Sequence, residues 1–249
     1  MIRNSFIFLD KIGPKREKLI WNQGVESWDD FLNRKILGIS HYRKPYYDRQ
    51  ILKARENLYK DNSSYFTKIL PLSEHWRLYN YFKEDAVFLD IETCSYYGMV
   101  TVVGLFNGIE TKTMIRGINL DKELLKKELE KYKLIITFNG LSYDIPVLNK
   151  YFGDIIPKIP HIDLRHVCSR IGLKGGLKII EEIIGIKRPA LLRNYNGDDA
   201  AMLWDMYFAT GKKKYLNLLV EYNEEDIVNL KPIAEHAVKE LWKKIKNDV

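Results

Sequence analysis

The sequence predicts an α/β protein: a five-stranded mixed sheet with flanking helices, preceded by a small, basic, α-helical domain. Three observations predict it. From residue 86 onward, short β-type runs and amphipathic stretches follow the order β-β-β-α-β-α-β and then helices. Before residue 84 the elements read from the sequence are helices joined by turns. The charge divides at the same place. Residues 1–83 hold 16 Lys/Arg against 9 Asp/Glu, whereas residues 84–249 hold 24 of each, so the whole formal surplus of +7 lies in the first third. We read 1–83 and 84–249 as two domains, with Lys83-Glu84-Asp85 as the boundary.

In the first domain Gly13-Pro14 makes a turn with Pro14 at a first helical position, and the helix runs to about residue 22 with Leu19 and Ile20 inward. Gly24 closes it. Ser27 followed by Asp30 caps a second helix with Trp28, Phe31 and Leu32 inward. Residues 43–83 read as helix, with Pro45 near a start. Ile12-Gly13-Pro14-Lys15, Leu19 and the Gly24-Val25 turn resemble a helix-hairpin-helix unit, which implies a backbone grip on phosphate near Lys15. Lys11 stands where that motif has its first hairpin glycine. The basic surplus suits an acidic polymer as partner and equally a solvated surface. The aromatics interleaved with it (Trp21, Trp28, Tyr42, Tyr47 and Trp76 among them) serve either base stacking or the core of a small helical domain.

In the second domain, 86–91 is a buried strand ending in acid, 100–106 and 111–115 are strands joined through an Asn107-Gly108 turn, and 120–132 is an amphipathic helix begun near Asn119 or Asp121. A buried strand at 134–138, a helix over 143–151, a brief strand at 161–164 and mostly helix thereafter complete the pattern. Three antiparallel strands followed by two parallel ones is the ribonuclease H-like arrangement.

Four acids sit where a site built on such a sheet needs them. Asp90 and Glu92 are two apart on one strand, so they share a face. They lie among Phe88, Leu89 and Ile91, where a carboxylate is costly unless a metal or a donor satisfies it. Asp144 opens the helix after the fourth strand, where it serves the site or that helix's N-terminus. Asp226 shares a helix face with Tyr222, four residues before it, while Glu224 and Glu225 turn outward.

Taken as an ordered set, FLDIET, ITFNGLSYDIPVL and EYNEEDIVNL resemble the three motifs of the DEDD 3′–5′ exonucleases, in the subgroup with a tyrosine four residues before the last aspartate. HIDLRHV and GLKGGLKIIEEIIGIKRP resemble the proofreading domains of B-family DNA polymerases, and GDDAAMLWDMY the YprB-type ribonuclease H-like family. The resemblance covers roughly residues 86–235. It implies hydrolysis of nucleic-acid phosphodiester bonds with two Mg²⁺ or Mn²⁺ ions, on single-stranded DNA ends, with RNA trimming as the alternative. It further implies that Asp90, Glu92 and Asp226 hold one ion, that Asp90 and Asp144 hold the second, and that Tyr222 orients the attacking water. All-carboxylate ligation suits hard cations and disfavours zinc. The histidine-type subgroup would carry His at 221, where this chain has Glu221.

Asn139 and Gly140 are read as contacts to the terminal nucleotide or as a turn. Lys174, Gly175, Gly176 and Lys178 are read as a phosphate-contacting loop at a helix start or as a connecting turn. Asp163, flanked by His161 and His166, supports the site from behind or is structural. Cys94 has no evident histidine partner for nucleophilic work.

Other classes are disfavoured. With 46% apolar and 29% charged residues the composition is globular. The longest uncharged run, 93–109, carries glycines and polar residues, so no membrane span is expected. The N-terminus lacks a small-residue cleavage site, so no signal peptide is expected and the expected location is the cytoplasm. Two cysteines build neither a disulfide framework nor a four-ligand zinc site. A non-catalytic nucleic-acid-binding module remains the competing class, and the intact acid set argues against it.

Overall fold

A computed structural model describes residues 1–95 and 98–247. The chain opens with α1 (Pro14–Trp21) and α2 (Trp28–Asn33), then α3 (Lys44–Tyr59), the single turns α4 (Phe66–Ile69) and α5 (Tyr79–Phe82), and short 3₁₀ segments between them. Pro14 begins α1, and a capping box of Ser27 and Asp30 begins α2. The strands are β1 (Ala86–Thr93), β2 (Val100–Phe106), β3 (Thr111–Ile115), β4 (Leu134–Thr137) and β5 (His161–Asp163). Between and after them come α6 (Lys122–Leu129), α7 (Asp144–Phe152), α8 (Leu164–Arg170), α9 (Leu177–Ile184), α10 (Gly197–Thr210) and α11 (Lys213–Asn247).

The sheet order is β3-β2-β1-β4-β5. β1 and β2 run antiparallel, as do β2 and β3, while β4 lies parallel to β1 and β5 parallel to β4. This is the five-stranded mixed sheet with flanking helices that the element order predicts.

The two-residue period of β1 sorts its side chains between the faces. Val87, Leu89 and Ile91 pack with Leu125 and Leu129 of α6 and Leu148 of α7. Ala86 and Phe88 face the opposite way, toward Ile227, Leu230 and Ala234 of α11. Asp90 and Glu92 continue this second row, so both carboxylates point to the α11 side at the end of the strand. A further cluster joins Leu203 and Trp204 of α10 to Leu216, Leu219 and Tyr222 of α11.

The N-terminal helices belong to the same buried cluster as the α11 side of the sheet, through Trp28, Phe31, Trp76 and Phe82. Trp21 and Trp76 flank Trp242 of α11 at 5.8 and 6.2 Å between ring centroids. At the centre of this region Arg77 is fully buried and reaches Glu17 Oε2 at 2.9 Å, Glu74 Oε2 at 2.5 Å and Ser5 Oγ at 2.8 Å. Glu17 also accepts from the Phe6 and Ile7 amides. A guanidinium so enclosed is tolerated because its charge and donors are matched.

Three local expectations are corrected. Leu19 is 61% exposed, because α1 turns Ile20 and Trp21 inward instead. The connection between β2 and β3 spans four residues, 107–110, with Asn107 Oδ1 accepting from the amides of Ile109 and Glu110. Glu224 and Glu225 are half-buried and engaged. Glu224 accepts from the hydroxyls of Thr111 and Thr113 on β3, and Glu225 from Asn229 Nδ2. Among the aromatics, Trp21, Trp28, Tyr47 and Trp76 are core, whereas Tyr42 and Tyr59 are exposed.

Candidate metal centre

β1, β4 and α11 converge at one end of the sheet. Asp90, Glu92 and Asp226 offer carboxylate oxygens that all lie within 4.8 Å of one another. These three line a cavity of about 490 Å³ together with Asp144, Asn139 and Tyr222. The four acids come from β1, the start of α7 and the middle of α11, and the fold brings them to one place.

The cavity is electrostatically strained. Burial raises the Asp90 carboxyl well above its ordinary range, and Asp144, Glu92 and Asp226 push it further. Glu92 is raised for the same reasons, burial first and then Asp226. Burial, with Asp163 nearby, takes Asp144 up to about 7, and its Oδ2 is buried without a hydrogen-bond partner. Asp226 is raised by burial to about 6, with Arg188 pulling the other way. Buried carboxylates that repel one another and are only partly met by protein donors fit divalent cations, and oxygen-only ligation fits Mg²⁺ or Mn²⁺.

Protein donors relieve part of the strain. Asn223, wholly buried on α11, donates Nδ2–H to Asp90 Oδ2 at 2.9 Å. It fits because β2 presents Gly104 opposite Asp90. A Cβ on Gly104 would lie 2.0 Å from Asn223 Oδ1. Arg188 bonds Glu181 through both Nε and Nη2, at 2.5 and 2.7 Å, and Nη2 also pairs with Asp226 Oδ1. Asn229 holds Glu181 from the other side at 3.1 Å.

Tyr222 lines the cavity, and burial raises its phenol far above the usual value, with Asp226 and Glu92 adding to the effect. Its proton therefore stays on at neutral pH. Lys178 Nζ lies 5.3 Å from the centre of its ring. Asn139 sits at φ 66, and the loop that carries it is shaped by Asp163. That carboxylate accepts from the amides of Asn139 at 2.8 Å, Leu141 at 3.1 Å and Arg165 at 3.0 Å. Arg165 Nη1 in turn holds Asn139 Oδ1. Gly140 lies tight against Thr137, where a Cβ would come within 2.4 Å of Oγ1. His161 bonds Thr137 Oγ1 and packs behind the loop, and His166 is exposed.

Lys174 lines a separate cavity with Phe138 and Arg165, and Lys15 is exposed on α1. Neither lines the acidic cavity. Cys94 does, as a buried free thiol. Sequence reasoning missed Asn223, Gly104, Arg188 and Glu181. Gly104 carried a signal, since a glycine inside a β-branched run marks a close approach. Arg188 and Glu181 lie inside the GLKGGLKIIEEIIGIKRP segment, but the pairing of Arg188 with Asp226, 38 residues away, carried no local signal.

With this geometry in place, the RNase_H superfamily model matches residues 87–238, more than half of the chain. The chain belongs to the RNase_H superfamily. Two solved structures are similar to this member in part. The family B DNA polymerase of the hyperthermophilic archaeon Pyrobaculum calidifontis has 12% identity and a TM-score of 0.48, over 61% of this chain and 24% of the polymerase. Escherichia coli RNase D, an exoribonuclease involved in structured RNA processing, has 20% identity and a TM-score of 0.46, over 71% of this chain and 46% of RNase D. The chain thus spans about a quarter of the one and under half of the other. No curated protein matches it. Among the described residues no helix is long and apolar enough to cross a membrane.

Proposed function

We propose that this RNase_H superfamily member is a divalent-cation-dependent 3′–5′ exonuclease of the tyrosine-type DEDD and YprB-type kind, acting on single-stranded DNA ends. The observation that carries the reading is the convergence of Asp90, Glu92 and Asp226 within 4.8 Å, in one cavity with Asp144 and Tyr222. Asp90, Glu92 and Asp226 would hold one Mg²⁺ or Mn²⁺, and Asp90 and Asp144 a second. Bound there, such cations supply a nucleophilic water at neutral pH and charge relief at the leaving oxygen.

The chain's own groups do the positioning. Tyr222 keeps its proton and so directs a water by hydrogen bonding instead of deprotonating it. Asn223 fixes the orientation of the Asp90 carboxylate. Arg165 occupies Asn139 Oδ1 and Asp163 occupies the Asn139 amide, which leaves Asn139 Nδ2 to donate to the terminal nucleotide, with Gly140 allowing the close approach of the loop. Lys178 meets a phosphate above Tyr222, and Lys174 one further along the strand.

Residues 1–83 would form the basic nucleic-acid-gripping part. Lys11 adopts φ 60, the backbone conformation that a hairpin glycine would supply, three residues before Pro14 opens α1 and four before Lys15.

Digestion of 5′-labelled single- and double-stranded DNA and RNA, with Mn²⁺, Mg²⁺ or EDTA, tests the reading. Stepwise shortening of single-stranded DNA from its 3′ end, abolished by EDTA, is the expected result. Shortening confined to RNA would make the enzyme an RNA-trimming exonuclease, and no shortening of any strand would overturn the reading.

A further inference from the structure

The acidic cavity has a basic neighbour. A second cavity, of about 460 Å³, is lined by Lys178, Glu181, Glu182, Lys187, Arg188 and Arg193. The two cavities share a wall. Tyr222 and Asp226 line the first. On the other side Lys178 Nζ and Arg188 Cζ lie 5.3 and 5.8 Å from the Tyr222 ring centre, and Arg188 Nη2 pairs with Asp226.

The positive charge of this cavity is only partly offset internally, since Lys178, Lys187, Arg188 and Arg193 face Glu181 and Glu182. Glu181 neutralises Arg188 in a buried bidentate pair. Among the described residues, Lys178, Lys187 and Arg193 have no ion-pair partner within reach. Lys187 and Arg193 are exposed and free to meet a ligand. The location gives these charges a use. Four carboxylates at a strand end repel a polyanion, and cations one side chain away offset that repulsion where the strand must continue.

We propose that this cavity binds a backbone phosphate of the same nucleic-acid strand whose end occupies the acidic cavity, through Lys187 and Arg193. The inference rests on the nuclease reading above and deepens it by giving the strand its path: over Tyr222 and into the basic cavity. Because the cations are the protein's own, this grip forms without divalent metal.

The test is fluorescence anisotropy of a labelled 15-nucleotide single strand, as DNA and as RNA, bound to the full chain in EDTA between 50 and 200 mM salt. In Lys187→Gln/Arg193→Gln, affinity is expected to fall at least about fivefold, and the slope of log K against log salt to shrink by about 0.7, the value for the one phosphate no longer neutralised. Lys126→Gln/Lys127→Gln removes the same charge from α6 on the other face of the sheet and is expected to bind as the parent does. Unchanged affinity and slope in the first variant, an equal loss in the second, or no binding by the parent in EDTA overturns the proposal. Mn²⁺-dependent shortening by the parent is read in parallel. Shortening with unaffected binding in the first variant overturns the basic cavity alone. A binding loss confined to that variant, in a protein that shortens nothing, supports the basic cavity and overturns the nuclease reading.

Discussion

Asn223 Nδ2 donates to Asp90 Oδ2 at 2.9 Å, through space that exists because position 104 has no side chain. One helix thus sets the orientation of a carboxylate on the first strand, 133 residues away in sequence. Gly104→Ala would place a methyl carbon 2.0 Å from Asn223 Oδ1 and 3.2 Å from Ile227 Cδ1, so Asn223 must move. Expected are a loss of about 1–3 kcal/mol of stability in urea melts, as for an overpacked core, and a drop of at least about tenfold in Mn²⁺-dependent hydrolysis. Gly104→Ala/Asn223→Ala should recover much of the stability and none of the activity. Parent-like activity in Gly104→Ala would show that the hydrogen bond has no functional role.

The carboxylates make the metal-free protein sensitive to pH, with a definite sign. Asp144 is raised to about 7, so the folded state holds its proton where the unfolded chain has lost it. Its contribution is complete below the unfolded value near 4 and disappears as pH rises through 7. His161, lowered by burial to about 4, costs stability mainly below about pH 6.5, and the Met1 ammonium, lowered by burial and Arg77, titrates alike in parent and variant, so the difference between the two from pH 6.5 to 8.5 reports Asp144. In EDTA the parent should lose about 1 kcal/mol more across that range than Asp144→Asn, a difference of a few degrees in Tm. Added Mn²⁺ should raise Tm more at pH 8.5 than at 6.5. Identical pH slopes in parent and variant would contradict the assignment.

Asp163 organises the loop that presents Asn139. Three backbone amides depend on its carboxylate, so Asp163→Ala leaves three donors unsatisfied. A loss of about 2–4 kcal/mol follows, together with a KM that rises more than kcat falls, because the loop is disturbed more than the acids, of which Asp144 alone feels the Asp163 charge. A variant with unchanged KM and lowered kcat would instead place Asp163 among the groups that touch the reacting atoms.

The N-terminal helices share their buried cluster with the sheet, and Trp242 is sandwiched between Trp21 and Trp76. Removing residues 1–83 exposes that surface, and the remaining chain should be insoluble or bind a hydrophobic dye. A soluble, cooperatively melting 84–249 would show that α11 and the sheet suffice.

How much of this is legible in the sequence follows from the range of the interactions. The positions of the strands along the chain, the shared face of Asp90 and Glu92 and the Tyr222–Asp226 spacing rest on local period, which a sequence displays directly. Helix starts are legible where a side chain caps its own turn, as Ser27 and Asp121 do. Periodicity misplaces Leu19 because α1 is only two turns long and Trp21 outcompetes it for the core. Arg188 and Asn223 are illegible because each acquires its role from a partner brought close only by the fold.

The account stands on the capacity of Asp90, Glu92, Asp144 and Asp226 to bind divalent cations, and titration of Mn²⁺ against the protein, with free Mn²⁺ followed by electron paramagnetic resonance, measures it directly. The parent should bind two ions per chain. Asp90→Asn, isosteric and still able to accept from Asn223, should fold as the parent does and bind Mn²⁺ at least about tenfold more weakly. Equal Mn²⁺ binding by the two proteins, or none by the parent, would contradict it.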